Sequence, residues 1–325
     1  MRKKSGPGVR DIAAELGLNI STVSRALNRS YLISRDTTEL VLRKAHEMGY
    51  HFERTRKCIV VLLPSGNTEL AWYSLSLINA LQKRLSETPY YWEFVNEDKA
   101  DIIQERSVSG IISLEFTLRI AGMINRKYNI PLVCINNASS HADNAWSVNS
   151  DAEDGVRKAF LCLREYGHRS IAFISTSGMS FAGRRRRQAF NKVAGEHGLR
   201  ETCIAVPGNV GSYHGTVLDL YRRGITGIIA DGESAGLGIW NSLNFCKIEI
   251  PRQMSLVAWE MPYVSKMVKP AITTVEQDFD LIAGKAVSLL EAQFRGERPG
   301  DDFTVPYRLH MRETVHIPRD VRSSD

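Results

Sequence analysis

The chain has 325 residues, 43% of them hydrophobic and 24% charged, enough for two or three globular domains and unlike a disordered or collagen-like chain. No run approaches the ~18 apolar residues of a membrane span, and no apolar stretch follows the basic start, so neither a membrane segment nor a secretory signal is expected. The net charge of +6 sits at one end: residues 1–60 hold twelve Lys or Arg against six Asp or Glu, and the other 265 residues hold thirty of each. A basic module on a neutral body points to a polyanion for the module and a different partner for the body.

Residues 9–50 read as three short helices without strand signal. Ile12 and Leu16 share one helix face, and Gly17 allows a left-handed turn. Asn19 is a good N-cap for the next helix, whose Val23 and Leu27 face back onto the first. Ala13 is small where the two cross. Ile20, Ser21, Thr22, Arg25 and Arg29 are left outward. A third helix, about 36–48, brings Val41, Ala45 and Met48 to close the core. The pattern predicts a helix-turn-helix that binds DNA. A basic helical module that docks a protein is the alternative reading.

From Ile59 the rhythm changes. Apolar runs at 59–63, 110–114, 132–135, 171–174, 227–230 and 256–259 alternate with helical stretches. Such runs predict buried parallel strands in βαβ units, grouped into two doubly wound lobes with a ligand cleft between them. Cysteines 58, 134, 162, 203 and 246 form no C-x-x-C pair, as expected of free thiols in a reducing cytoplasm. The eight histidines include no i, i+3 or i+4 pair, so no metal site is expected, and no phosphate-loop motif suggests a cofactor. The run Arg184–Arg187 reads as a solvated helix face with Arg186 turned inward. Gly232-Glu233-Ser234-Ala235-Gly236 is a formal G-x-S-x-G between a strand and a helix. It raises the alternative of a carboxylesterase-like hydrolase, with Ser234 as nucleophile, Glu260 or Asp278 as acid and His310 or His316 as base. No H-G-G-G-like oxyanion loop accompanies it.

Several ordered motifs resemble one family. D-I-A-x-x-L-G-L-N-x-S-T-V-S-R-A-L-N at 11–28, S-R-D-T-T-E-L-V-L at 34–42 and M-G-Y at 48–50 resemble the headpiece of LacI/GalR-family regulators. Val148-x-x-Asp151-x-x-x-Gly155, Tyr166–Ile174, Arg186-x-x-Ala189-Phe190, Ile272–Phe279 and Tyr307–Glu313 resemble that family's effector domain. The resemblance implies a small all-α helix-turn-helix domain followed by an α/β domain of two doubly wound parallel-sheet lobes, like periplasmic binding proteins. It carries base-reading positions onto Ile20, Ser21 and Arg25, and phosphate contacts onto Asn19, Thr22, Ser24 and Asn28. Arg29 joins them from the outward face.

The expected organisation is a helix-turn-helix domain at 1–50, a linker at 51–58 and a ligand-binding and dimerisation domain at 59–325. The linker departs from the family, whose hinge helix carries a proline, an Ala-Arg pair and a wedge leucine; here all are missing. By resemblance the effector candidates are Trp72, Tyr73, Asp151, Asp154, Arg186, Asp231, Trp259, Glu260 and Gln277. Carboxylates and aromatic faces suit a neutral, sugar-like effector. The expectation is a cytoplasmic, homodimeric, non-enzymatic regulator that binds a pseudo-palindromic operator and responds to a small polar molecule.

Overall fold

The computed structural model describes residues 7–27, 32–50, 57–63, 72–99, 108–114, 123, 130–137, 145–176, 180–199, 203–205 (backbone only), 213–232, 235–259, 263–297 and 302–318. The linker residues 51–56 lie outside this set.

Three helices open the chain: α1 (Val9–Leu16), α2 (Ile20–Leu27) and α3 (Arg35–Glu47). Three of the boundaries have a visible local cause. The Gly8 N–H donates to Asp11 Oδ2 (2.6 Å) at the start of α1. Gly17 ends α1 at φ 64°, a left-handed conformation that costs glycine nothing. Ser34 caps α3, its Oγ accepting from the Thr37 N–H at 3.3 Å. Ile12, Val23 and Val41, one from each helix, are wholly buried and meet with Ala13, Ala26, Leu27 and Ala45 in one core. Burying each large aliphatic contributes about 1.5–3 kcal/mol, so this small module depends on a handful of side chains.

Two six-stranded sheets follow. The first comprises β1 (Cys58–Leu63), β2 (Tyr91–Asn96), β3 (Val108–Ser113), β4 (Leu132–Ile135), β5 (Ala145–Ser150) and β11 (Phe303–Val305), in spatial order β11-β5-β4-β3-β1-β2. The second comprises β6 (Ile171–Ser175), β7 (Cys203–Ala205), β8 (Gly227–Asp231), β9 (Ser255–Trp259), β10 (Thr273–Glu276) and β12 (Arg308–His310), in order β12-β10-β9-β8-β6-β7. Strands β1–β5 pair in parallel, as do β6–β10, and β12 is antiparallel to β10. Both sheets have the doubly wound 2-1-3-4-5 core order, so the winding reverses beside β1 in one and beside β6 in the other. Among the described residues the further helices are α4 (Trp72–Ser86), α5 (Ala152–Glu165), α6 (Phe181–Glu196), α7 (Tyr213–Arg222), α8 (Ala235–Phe245), α9 (Val264–Met267) and α10 (Phe279–Phe294).

Two compact units contain these sheets, and each has its own core. One gathers 1–68, 80–148 and 283–303; the other gathers 69–79, 149–282 and 304–325. The apolar runs read from the sequence are the central strands, buried on both faces. In the second unit α5 buries Val156, Ala159, Phe160 and Leu163 at helical spacing, and Phe160 meets Phe190 of α6 edge-on at 6.2 Å. Phe190 stacks in turn on Phe173 of β6, ring centres 5.1 Å apart. This fixes α6, and with it Arg186, against the sheet.

Candidate nucleic-acid interface and ligand site

One face of α2 is committed to the core, with Val23, Ala26 and Leu27 buried. The other is not. Ile20 is 50% exposed, Asn19, Ser21 and Arg25 are exposed, and Thr22 and Ser24 are half-buried. An exposed isoleucine beside hydroxyls and a guanidinium is poor for solvent but matches the methyl groups and acceptors of a DNA major groove. The basic residues of α3 are partly spent within it: exposed Arg35 pairs with Glu39 at 3.0 Å and half-buried Lys44 with Glu47 at 2.8 Å. Among the described residues Arg25 has no ion-pair partner. Asn28 and Arg29, the other two candidates, lie outside the described residues.

The second site forms where β6, β8, β9 and β10 end. In doubly wound sheets the crevice beyond the carboxyl ends of the strands, at the reversal of winding, is where ligands bind. Ser175 ends β6 and Asp231 ends β8, and the parallel register sets them side by side. Asp231 is fully buried. Its Oδ2 accepts from Ser175 Oγ at 2.7 Å, and its Oδ1 lies 2.8 Å from Nε of Arg186, an ion pair without the alignment of a hydrogen bond. The Arg186 side chain is only 9% exposed. It comes from the second turn of α6, where Arg184 and Arg185 point to solvent, so the expected inward turn is observed. The guanidinium lies 5.2 Å from the Trp259 ring centre.

Trp259 is almost wholly buried. It is 2% exposed, packs edge-on against Tyr307 at 5.3 Å and shares the space above Gly155. Its indole N–H has no acceptor among the described residues. Gln277, also buried, accepts a hydrogen bond from Ser150 Oγ through its Oε1. Trp72 and Tyr73 open α4: Trp72 is 49% exposed with its ring 6.4 Å from Tyr263, and Tyr73 lies 5.8 Å from Phe279. Glu260 lies outside the described residues.

Three candidate carboxylates have partners within the fold. Asp151 is the N-cap of α5, its Oδ1 accepting from the N–H groups of Glu153 (3.1 Å) and Asp154 (3.0 Å). Asp154 accepts from Lys158 Nζ at 2.8 Å and from the Tyr307 N–H at 2.9 Å. These carboxylates hold α5 and the Tyr307 segment in place. Asp231, fully buried, faces Arg186 and Ser175. Ser175, Ser150 and Tyr307 stand beside Asp231, Gln277 and Trp259 and were not among the expected effector residues. Ser175 was legible in principle, since it follows an apolar strand whose parallel neighbour ends in Asp231.

The hydrolase alternative is not supported. Ser234 and Glu260 lie outside the described residues. The Asp278 carboxylate is held by Arg308 and by the Leu281 N–H (3.0 Å), while His310 faces Glu276 at 3.5 Å. Asp278 therefore orients neither His310 nor His316.

Comparison with known proteins agrees with this division of labour. The family model for bacterial regulatory proteins of the lacI family matches residues 9–52, and that for the periplasmic binding protein-like domain matches residues 161–315. The chain is 24% identical to the HTH-type transcriptional regulator GalR of Lacticaseibacillus casei, over 94% of this chain and 97% of that protein. It is 23% identical to the ribose operon repressor of Halalkalibacterium halodurans, over 94% and 96%. Among solved structures, the transcriptional regulator CelR–cellobiose complex matches at TM-score 0.69 and 21% identity, over 95% of this chain and 99% of that one. The lac repressor dimer bound to operator and an anti-inducer matches at TM-score 0.69 and 19% identity, over 96% and 100%. The chain thus has a lacI-type helix-turn-helix at its start and a periplasmic-binding-protein-like domain behind it, and over nearly its full length it is similar to transcriptional regulators of the LacI/GalR kind.

Proposed function

We propose that this protein is a homodimeric, ligand-responsive transcriptional regulator whose two headpieces bind a pseudo-palindromic operator in the cytoplasm, and that it catalyses no reaction. The domains are a headpiece at 1–50, a linker at 51–58 and an effector domain at 59–325. The observation that carries the reading is the divided face of α2: Val23 and Leu27 are sealed in the core while Ile20, Ser21 and Arg25 are presented outward. Arg25 and Ile20 read base edges, Ser21 assists them, and Asn19, Thr22, Ser24, Asn28 and Arg29 hold phosphates. Two symmetry-related headpieces then require two half-sites at fixed spacing.

The effector is a neutral polyhydroxylated molecule bound at the carboxyl edge of the second sheet. Arg186 and Gln277 supply polar contacts, Trp259 a wall, and Trp72, Tyr73 and Glu260 complete the set. Relatives support the class: one is named for a ribose operon and one was solved with cellobiose. An effector shifts operator affinity only by binding one conformation better than the other.

The test is selection of operator from a random duplex pool with the full chain. Affinity should fall steeply with salt as phosphate counterions are released. Arg25→Ala should cost about 1–3 kcal/mol and relax preference at one base pair of each half-site. A truncation beginning at Cys58 that still bound the selected duplex would overturn the reading. A thermal-shift screen of sugars and nucleosides finds the effector.

A further inference from the structure

We infer that Asp231 sets the charge class of the effector: by supplying the counter-charge to Arg186 from within the fold, it makes the site refuse anions and accept neutral hydroxylated ligands. The inference rests on the ligand site proposed above and deepens it.

A guanidinium that is only 9% exposed needs a negative partner. Either the ligand brings that partner or the protein does. Here the protein does, with Asp231 Oδ1 2.8 Å from Arg186 Nε. Asp231 is not free to swing away and yield its place. Its Oδ2 is held by Ser175 Oγ at 2.7 Å, and its backbone oxygen accepts from the Thr176 N–H (3.0 Å) and Oγ1 (3.3 Å). Trp259 lies under the guanidinium at 5.2 Å, which leaves the ligand only the small exposed part of Arg186. The Arg186–Asp231 pair is thus neutral as a unit, and an incoming carboxylate or phosphate meets a guanidinium whose attraction is offset by a fixed, buried negative charge close behind it. A hydroxyl meets no such penalty: it accepts from a guanidinium N–H without bringing charge. Asp231 is accordingly a positioning residue, acting on the ligand through Arg186.

The test compares the wild-type full chain with Asp231→Asn, which keeps the shape and removes the charge. Thermal midpoints are measured in sodium sulfate and in sodium chloride of equal ionic strength. Calorimetry uses matched neutral and anionic probes: glucose and glucuronate, ribose and ribose 5-phosphate, cellobiose and cellobionate. Wild type should gain nothing from sulfate beyond the general salt effect and should prefer the neutral member of any pair that binds. Asp231→Asn should melt lower, regain stability in sulfate or with an anionic probe, and shift the anionic-to-neutral affinity ratio upward by about tenfold or more. Arg186→Gln combined with Asp231→Asn should lose that anion response. If Asp231→Asn does not accumulate in folded form, recovery of folded protein on refolding in sulfate but not chloride supports the inference, and no recovery overturns it. A folded Asp231→Asn whose anion response equals wild type overturns it, as does a wild type that binds the anionic probes as well as the neutral ones. Operator binding without ligand, read in parallel by fluorescence anisotropy, separates the two claims. Its absence in wild type would defeat the regulator reading and leave the charge selectivity standing.

Discussion

The ammonium of Lys57 lies 4.0 Å from the centre of the Phe294 ring and 5.7 Å from that of Tyr90, and the two rings meet edge-on at 5.6 Å. Lys57 directly precedes β1, and Phe294 ends α10, so a residue at the end of the linker is clamped to a helix from the far end of the sequence. Lys57→Ala should lower stability by about 0.5–1 kcal/mol, the worth of an exposed cation–π contact. Lys57→Arg should retain most of it. Denaturant unfolding of the two variants beside wild type checks both.

His168 is buried neutral. Its Nε2 donates to the His316 carbonyl oxygen at 3.0 Å, and its Nδ1 pairs with Thr226 Oγ1 at 2.9 Å. Burial pushes its pKa down to about 4 against an ordinary 6.5, with the His316 bond opposing. The unfolded chain therefore takes up a proton below pH 6.5 that the folded chain refuses until about 4. The contribution is complete above pH 6.5 and is lost as pH falls through that window. Allowing for partial solvent screening, about 2 kcal/mol is at stake. Stability measured from pH 7 to 4.5 should fall over this range, and His168→Gln should flatten the fall. An unchanged slope would show that other groups carry the acid sensitivity.

Gly155 tests how the Trp259 wall is set. A Cβ at this position would lie 2.7 Å from Tyr307 Cδ2 and 2.9 Å from Trp259 Cζ2, so one ring must move. Gly155→Ala should cost about 1–3 kcal/mol from overpacking, shift the intrinsic tryptophan fluorescence, and weaken effector binding without altering operator affinity in the absence of effector. Unchanged fluorescence and effector affinity would mean that the ring yields without consequence.

Much of this arrangement was legible in the chain. The headpiece was readable because Gly17 marks its turn and the spacing of Ile12, Val23 and Val41 marks its core; the Ser34 cap, which starts the third helix at Arg35 instead of about 36, was seen only in the structure. The central strands were readable because burial on both faces makes them continuously apolar. The strands missed were short, polar or at sheet edges, such as β2 with its exposed Tyr91, β5 with Ser147 and Asn149, and β7 with three residues. Such strands are specified by their neighbours more than by their own composition. The ligand site was only half legible. Arg186 could be expected to turn inward from the helix face it shares with Ala189 and Phe190. That Asp231 forms an ion pair with Arg186, and that Asp151 and Asp154 accept from the backbone and Lys158 around α5, are facts of three-dimensional proximity that a motif does not encode.

The linker yields the last prediction. Residues 51–58, His-Phe-Glu-Arg-Thr-Arg-Lys-Cys, contain neither proline nor leucine. In the family the hinge helix drives a leucine into the minor groove and kinks the operator, since separating two stacked base pairs takes an apolar wedge. Arg54 and Arg56 can approach phosphates, but cationic side chains alone do not unstack a base step. Cys58 already belongs to β1 and Lys57 is held by Phe294, so the six residues 51–56, fully extended, span at most ~21 Å at ~3.5 Å each, and headpiece spacing stays tied to the effector domain. Specificity should then reside in the two major-groove half-sites, and the effector should act by changing the distance between headpieces. Changing the half-site spacing by one base pair should weaken binding strongly, because each pair both shifts and rotates one half-site. Substituting the central base pairs at fixed spacing should change affinity little, and the bend measured by FRET should be small. A large bend together with strong dependence on the central step would show that another side chain, Phe52 being the first to test by Phe52→Ala, acts as the wedge.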